Sequence, residues 1–209
     1  MRDRIQINVY EKEKVFLWLP PKTGTHHAVE VFNHFDFKHI VSSYDKKTIH
    51  FTENRVIHNH TLDLFEGHEN YEIICTARNP LKRVFSAFFY GDKLMGKKIE
   101  LNKKSFIKFF SETIYDNDSV WLQGIFFKNR KPKYFLRTES LYEDYLKIPF
   151  VAESSFAKSG ELESFCKIKL NSAERQEFKI QDFYTQDMVD YLYNRYKDYF
   201  DELGYEPKI

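Results

Sequence analysis

The sequence predicts an α/β fold, a central parallel sheet with helices on both faces, in a single domain over residues 1–209. Three observations predict it. Two apolar runs, Val15–Leu19 and Tyr71–Ala77, read as buried strands. Each is closed by a polar and proline-containing segment. Each is then followed by helical periodicity: Ala28, Val29, Phe32 and Phe35 after the first, Val84, Ala87 and Phe88 after the second. Strands separated by helices are the pattern of a parallel sheet. A chain of 209 residues can bury a sizeable core, and its 21 Phe, 14 Tyr and 2 Trp suit a filled interior with an aromatic-lined cleft.

Residues 1–14 are charged and carry one short edge strand, Ile5–Tyr10. Val15–Leu19 ends at Pro20 and Pro21, which cannot donate to a sheet ladder. Then come Lys22, Thr23, Gly24 and Thr25, with a helix from His26. A tight loop crowned by Gly24 exposes successive N–H groups, and a helix start adds more together with the positive end of its dipole. That is an anion site suited to phosphate or sulfate, to which Lys22 adds a charge and Thr23 and Thr25 add hydroxyls. In the Walker A loop, G-x-x-x-x-G-K-[ST], the lysine follows the glycine; here it precedes it and no upstream glycine is present, which disfavours an ordinary ATP or GTP loop.

Residues 36–54 read as mixed loop with a strand at His39–Ser42, and a further strand spans Arg55–His58. Pro80 is suited to open a helix and Gly91 to close it. A basic loop leads to a helix capped by Ser105. Lys133–Leu136 reads as a strand and Ser140–Lys147 as a helix; Ser159 and Gly160 mark a turn. Met188, Leu192 and Tyr196 define a long C-terminal helix ended by Gly204. In such sheets ligands gather beyond the carboxyl ends of the strands, so Lys22–His27, His58–Thr61 and Arg78–Asn79 are expected on one rim.

Bulk properties narrow the partners. A net charge of +1 gives no global field for nucleic acid or an anionic membrane, so any anion site is local. Cys75 and Cys166 are far apart and form no metal or redox motif. The N-terminus is too polar for a signal peptide, and no apolar run reaches the length of a membrane span. A cytoplasmic protein is the expectation.

"PKTGT" after a strand, followed by "RNPLKRVFSAFF" after a later strand, resembles the PAPS-dependent sulfotransferase superfamily (PAPS is 3′-phosphoadenosine-5′-phosphosulfate). "FLRTESLYEDY" is similar to the family's R-x-E-x-L-x-x-D segment, and "FYTQDMVDYLYNRYKDYFDELGY" to the C-terminal helix of its carbohydrate-type members. The chain departs from the family at His26 and His27, where many members have Thr, Ser or Trp, and it has no K-G-x-x-G-D-W segment. The carbohydrate-type branch or a divergent microbial branch fits best. The resemblance implies a three-layer, P-loop-like fold. It also implies transfer of a sulfuryl group from PAPS to a hydroxyl or amine acceptor, on a carbohydrate or small hydroxyl compound, without a metal.

The same resemblance assigns Lys22, Thr23, Gly24 and Thr25 to the 5′-phosphosulfate, with Lys22 also stabilising the leaving phosphate, and the backbone N–H groups on through His26 and His27 are expected around it. It assigns Arg78 and, eight positions on, Ser86 to the 3′-phosphate. His60 is placed like the base of the family's K-T-H segment, and a neutral imidazole suits that task. His58, Glu30 and Glu53 are alternative bases, although helical spacing puts Glu30 on a solvated face. His26 and His27 either touch the sulfonate or cap and pack. Arg137 is expected to pair with Glu139, and Arg83 to face solvent. Two rival readings stand beside this one: a P-loop-like nucleotide kinase or nucleotidase, and a non-catalytic module binding PAP (the desulfated product) or a glycan.

Overall fold

The computed structural model describes residues 4–20, 22–35, 38–43, 49–52, 70–95, 100–115, 131–168 and 178–209. Strands β1 (Arg4–Tyr10) and β2 (Val15–Trp18) are followed by helix α1 (Thr25–Phe32). Next come β3 (Lys38–Ser43), β4 (Ile49–Thr52) and β5 (Glu72–Ala77), then α2 (Pro80–Met95) and α3 (Lys103–Phe110). A turn of π-helix, Ser111–Tyr115, extends α3. The chain continues through β6 (Tyr134–Arg137), α4 (Leu141–Tyr145), α5 (Pro149–Ala152), α6 (Ser155–Lys158) and α7 (Glu161–Cys166). It ends with α8 (Gln186–Arg195) and α9 (Lys197–Leu203). Among the described residues no helix is long and apolar enough to cross a membrane.

Packing groups the chain into two compact units: Met1–Ala77 with Phe127–Leu170, and Arg78–Phe126 with Asn171–Ile209. The first holds a six-stranded sheet in the order β4-β3-β1-β2-β5-β6. Only β2, β5 and β6 run parallel; β1 is antiparallel to β2 and β3, and β4 to β3. The sheet is therefore mixed where strand–helix alternation led to a parallel expectation. A parallel connection needs a dozen or more residues. Between β1 and β2 there are only Glu11–Lys14, a turn closed by the Lys14 N–H on the Glu11 carbonyl with Lys14 at φ 50°. β1 is accordingly an interior strand, not an edge. The strand expected at Arg55–His58 lies outside the described residues.

Alternation along β2 and β5 sends side chains to two faces. On one, Val15, Leu17, Ile74 and Leu136 meet Ala28, Val29, Val31 and Phe32 of α1, and Tyr145, Ile148, Val151, Phe156 and Leu162 from the α4–α7 segment. On the other, Phe16, Trp18, Ile73 and Cys75 cluster with Val9 and Tyr71. Burial on both faces is why β2 and β5 read as unbroken apolar runs.

The second unit is built on aromatic packing. Phe106 of α3 meets Phe88 at 5.2 Å between ring centroids, Phe183 at 5.8 Å and Tyr184 at 4.9 Å, all edge-to-face. That geometry sets the positive ring edge on the negative ring face. The buried Tyr184 hydroxyl donates to the Leu81 carbonyl at 2.7 Å. α2 opens as Pro80 requires, with Asn79 accepting from the Leu81 N–H at 2.9 Å. It runs through Gly91 to Met95. One glycine costs about 1 kcal/mol against alanine, too little to stop a helix by itself. The apolar spacing continues unbroken from Met188 to Leu203, yet the backbone leaves the helical well at Tyr196 (φ −123°), so α8 and α9 are separate; Gly204 closes α9 in the left-handed region. α3 is capped by Asn102, whose side chain accepts from the Ser105 N–H at 2.9 Å. Ser105 is thus the third helical residue, not the cap. Asn102→Ala is expected to lower stability by about 1 kcal/mol while Ser105→Ala changes it by less than about 0.5 kcal/mol, read by urea unfolding.

Candidate functional site

The loop after β2 is set by backbone conformation. Lys22 (φ 66°) and Gly24 (φ 84°) both occupy the left-handed region, one on each side of Thr23. For lysine that costs about 1–2 kcal/mol. Such strain persists only where the surroundings over-determine it. The restraints are visible. The Thr23 hydroxyl donates to the Pro20 carbonyl at 2.6 Å, and the Thr25 hydroxyl donates to the same oxygen at 3.1 Å. Thr23 Oγ1 lies 2.6 Å from Thr76 Oγ1 of β5. Thr23 has one proton and spends it on Pro20, so Thr76 is the donor in that contact. Thr23 and Thr25 are buried. Their hydroxyls therefore anchor the loop to its own root and to the neighbouring strand, a different placement from the outward-facing donors expected of them.

α1 begins at Thr25 with Gly24 as its cap, no side-chain capping bond and no acidic residue in its first turn. The helical ladder starts with the Ala28 N–H on the Gly24 carbonyl at 3.1 Å, so the N–H groups of Thr25, His26 and His27 lie ahead of it. Donors and dipole at this end favour an anion. Gly24 is required twice over: by its φ, and because a Cβ there would come within 2.8 Å of Thr138 Cγ2.

The two histidines have opposite fates. His26 is exposed. His27 is buried, its ring stacked on Tyr145 at 5.9 Å and tilted against Phe165 at 4.9 Å, with Nδ1 3.2 Å from the Tyr145 hydroxyl. Burial holds its pKa below the usual histidine value, opposed by the Phe165 backbone carbonyl. Its side chain is a packing element, and only its backbone N–H belongs to the loop. Glu30 is exposed on the solvated face of α1.

Arg137 at the end of β6 binds Asp144, not Glu139. Nε and Nη2 donate to the two carboxylate oxygens at 2.8 and 2.7 Å, and the Arg137 N–H adds a third bond at 2.9 Å. Ser140 Oγ (3.0 Å) and Lys147 Nζ (2.7 Å) donate to the same carboxylate. Asp144 is 1% exposed while Glu139 stands in solvent. Both carboxylates sit in the "RTESLYED" segment, and burial separates them.

In the second unit, the Arg78 N–H donates to the Tyr199 hydroxyl at 3.2 Å, which in turn donates to the Arg78 carbonyl at 3.3 Å. The Arg78 side chain is half-buried. Ser86 is buried on α2. Arg83 is also buried, contrary to the solvent-facing expectation, because it lies three positions before the buried Ser86, on the same side of α2. His60, His58 and Glu53 lie outside the described residues. Among the described residues no group of three or more His, Cys, Asp or Glu gathers as a metal site. Sequence reasoning missed Thr76, Thr138 and Tyr145; the last two lie in the segment flagged by "FLRTESLYEDY".

Comparisons with protein-family models, with curated proteins and with solved structures returned no match.

Burial pushes the Asp144 carboxyl up, but its bonds from Arg137 and Lys147 outweigh this and hold it below the ordinary value of 3.8. Folding thus favours the ionised form, and the unfolded chain takes up the proton first as pH falls. The stabilisation is complete above about pH 4 and is lost progressively below it, toward the lowered folded value. Asp144→Asn is expected to cost about 3 kcal/mol at pH 7, with the gap to the unsubstituted protein shrinking below pH 4, read by urea unfolding across pH.

Proposed function

We propose that the chain is a PAPS-dependent sulfotransferase of three-layer, P-loop-like fold, acting on a hydroxyl or amine acceptor, with a carbohydrate as the favoured class. The observation that carries this reading is the loop between β2 and α1. A lysine and a glycine in the left-handed region lead into a helix start that bears no side-chain cap and no acid. An anion is what that end of a helix binds best. The order Lys-Thr-Gly-Thr departs from the Walker order and is similar to the loop that holds the phosphosulfate in the sulfotransferases the sequence resembles. Arg78 follows β5 directly, two positions after Thr76, whose hydroxyl bonds the loop.

In this reading the acceptor oxygen attacks the sulfur of PAPS and the bond from sulfur to the bridging phosphate oxygen breaks. PAP leaves, and the acceptor proton passes to a base, for which His60 is the candidate. Lys22 and the loop N–H groups neutralise charge growing on the leaving phosphate. Arg78 and Ser86 take the 3′-phosphate, the guanidinium as a two-pronged donor. Neither the threonine hydroxyls nor the His27 ring are needed as ligands, since the backbone supplies the donors.

Isothermal titration with PAP and with ATP–Mg²⁺ tests the reading against a nucleotide kinase. PAP is expected to bind without metal; ATP–Mg²⁺ binding without PAP binding overturns it. Lys22→Ala is expected to lower transfer from PAPS by about a hundredfold or more in kcat with thermal stability retained, measured with radiolabelled PAPS in an acceptor screen. Unchanged turnover removes Lys22 from the chemistry.

A further inference from the structure

The residues between β6 and the end of α4 touch the anion loop at two points, both inside the first unit. Thr138 sets its methyl group against Gly24, close enough that any Cβ there would collide with it. Tyr145, fully buried, places its hydroxyl 3.2 Å from His27 Nδ1 and stacks its ring at 25° to the imidazole. A buried hydroxyl demands a partner, so the bond fixes the ring of the third residue of α1. Between the two contact points lies Asp144, which receives five hydrogen bonds from Arg137, Ser140 and Lys147. A satisfied buried network of that kind is rigid. The element is thus stiffened by a network that ties its first residue, Arg137, to its penultimate one, Asp144, and it is pressed on the loop at Thr138 and Tyr145.

We propose that residues 137–145 form a clamp that presets the anion loop, with Thr138 and Tyr145 as positioning residues for the 5′-phosphosulfate; this rests on the PAPS reading of the loop. The loop needs such a device. A lysine in the left-handed region, leading into a helix start with no side-chain cap and no acid, is unfavourable until an anion arrives. Contacts from outside the loop hold it in the binding shape beforehand, which raises affinity by removing the ordering cost from the binding step. The inward-facing threonines hold the root of the loop. The clamp holds its crown at Gly24 and the start of α1 at His27.

Tyr145→Phe removes the hydroxyl and keeps the ring; Thr138→Ser removes the methyl and keeps the hydroxyl. Two measurements are made on each, in the full chain. The first is affinity for PAP against adenosine 3′-phosphate, which lacks the 5′ group. The second is amide hydrogen exchange at Ala28, whose N–H bonds the Gly24 carbonyl, against Ile74 in β5. In Tyr145→Phe, PAP affinity is expected to fall about five- to tenfold, with adenosine 3′-phosphate within about twofold of the parent. Exchange at Ala28 is expected to quicken while Ile74 is unchanged. Thr138→Ser is expected to move both in the same direction by less, and decides the matter if Tyr145→Phe does not fold. Equal loss for both ligands, unchanged PAP affinity, or unchanged exchange at Ala28 overturns the clamp. If the unsubstituted protein binds no PAP, the sulfotransferase reading falls, and the exchange at Ala28 alone judges the clamp.

Discussion

The Pro20 carbonyl is the atom on which the candidate site depends. It accepts from Thr23 and from Thr25, three and five positions later, and so draws the chain into a tight loop immediately after β2. The turn so closed carries Lys22 and Gly24 in the left-handed region, and the steric cost falls on Lys22 alone, since glycine has no Cβ to clash. Because Thr23 uses its proton on that carbonyl, it can only accept from Thr76, which ties the loop to β5. The parallel register of β2 with β5, Trp18 opposite Cys75, brings Thr76 to the right place. Sheet register and loop shape are one constraint.

Much of this was legible in the sequence where one residue type carries one meaning. Prolines stop strands and open helices, and Pro20 and Pro80 stand where those rules put them. Gly24, Gly160 and Gly204 take the left-handed positions that a side chain avoids. Apolar runs buried on both faces mark β2 and β5. Pairing was not legible, because which strand lies beside which depends on connection length and on the far side of the sheet. β1 therefore read as an edge, and β4 was absorbed into a mixed segment.

At the site itself, the positions of the loop residues were legible and the directions of their side chains were not. A threonine hydroxyl is donor and acceptor alike, so its partner is decided by neighbours that are distant in sequence. His27 reads as a ligand from its place after the loop, yet it faces Tyr145, 118 positions away. Along the chain Arg137 is followed by three carboxylates, Glu139, Glu143 and Asp144. It chose Asp144 because a buried carboxylate must be satisfied from several sides, while the exposed Glu139 carboxylate accepts from the Thr138 hydroxyl at 3.1 Å.

The reciprocal bonds between Arg78 and the Tyr199 hydroxyl span 121 residues. During synthesis the backbone at Arg78 must wait for nearly the whole chain before its partner exists. Contacts of such long sequence separation form late and slow the closure of the unit that contains them. A nascent chain lacking α9 carries Arg78 on a peptide unit still hydrogen-bonded to water. Any shortening of the C-terminus that removes Tyr199 therefore reaches back to the residue that directly follows β5.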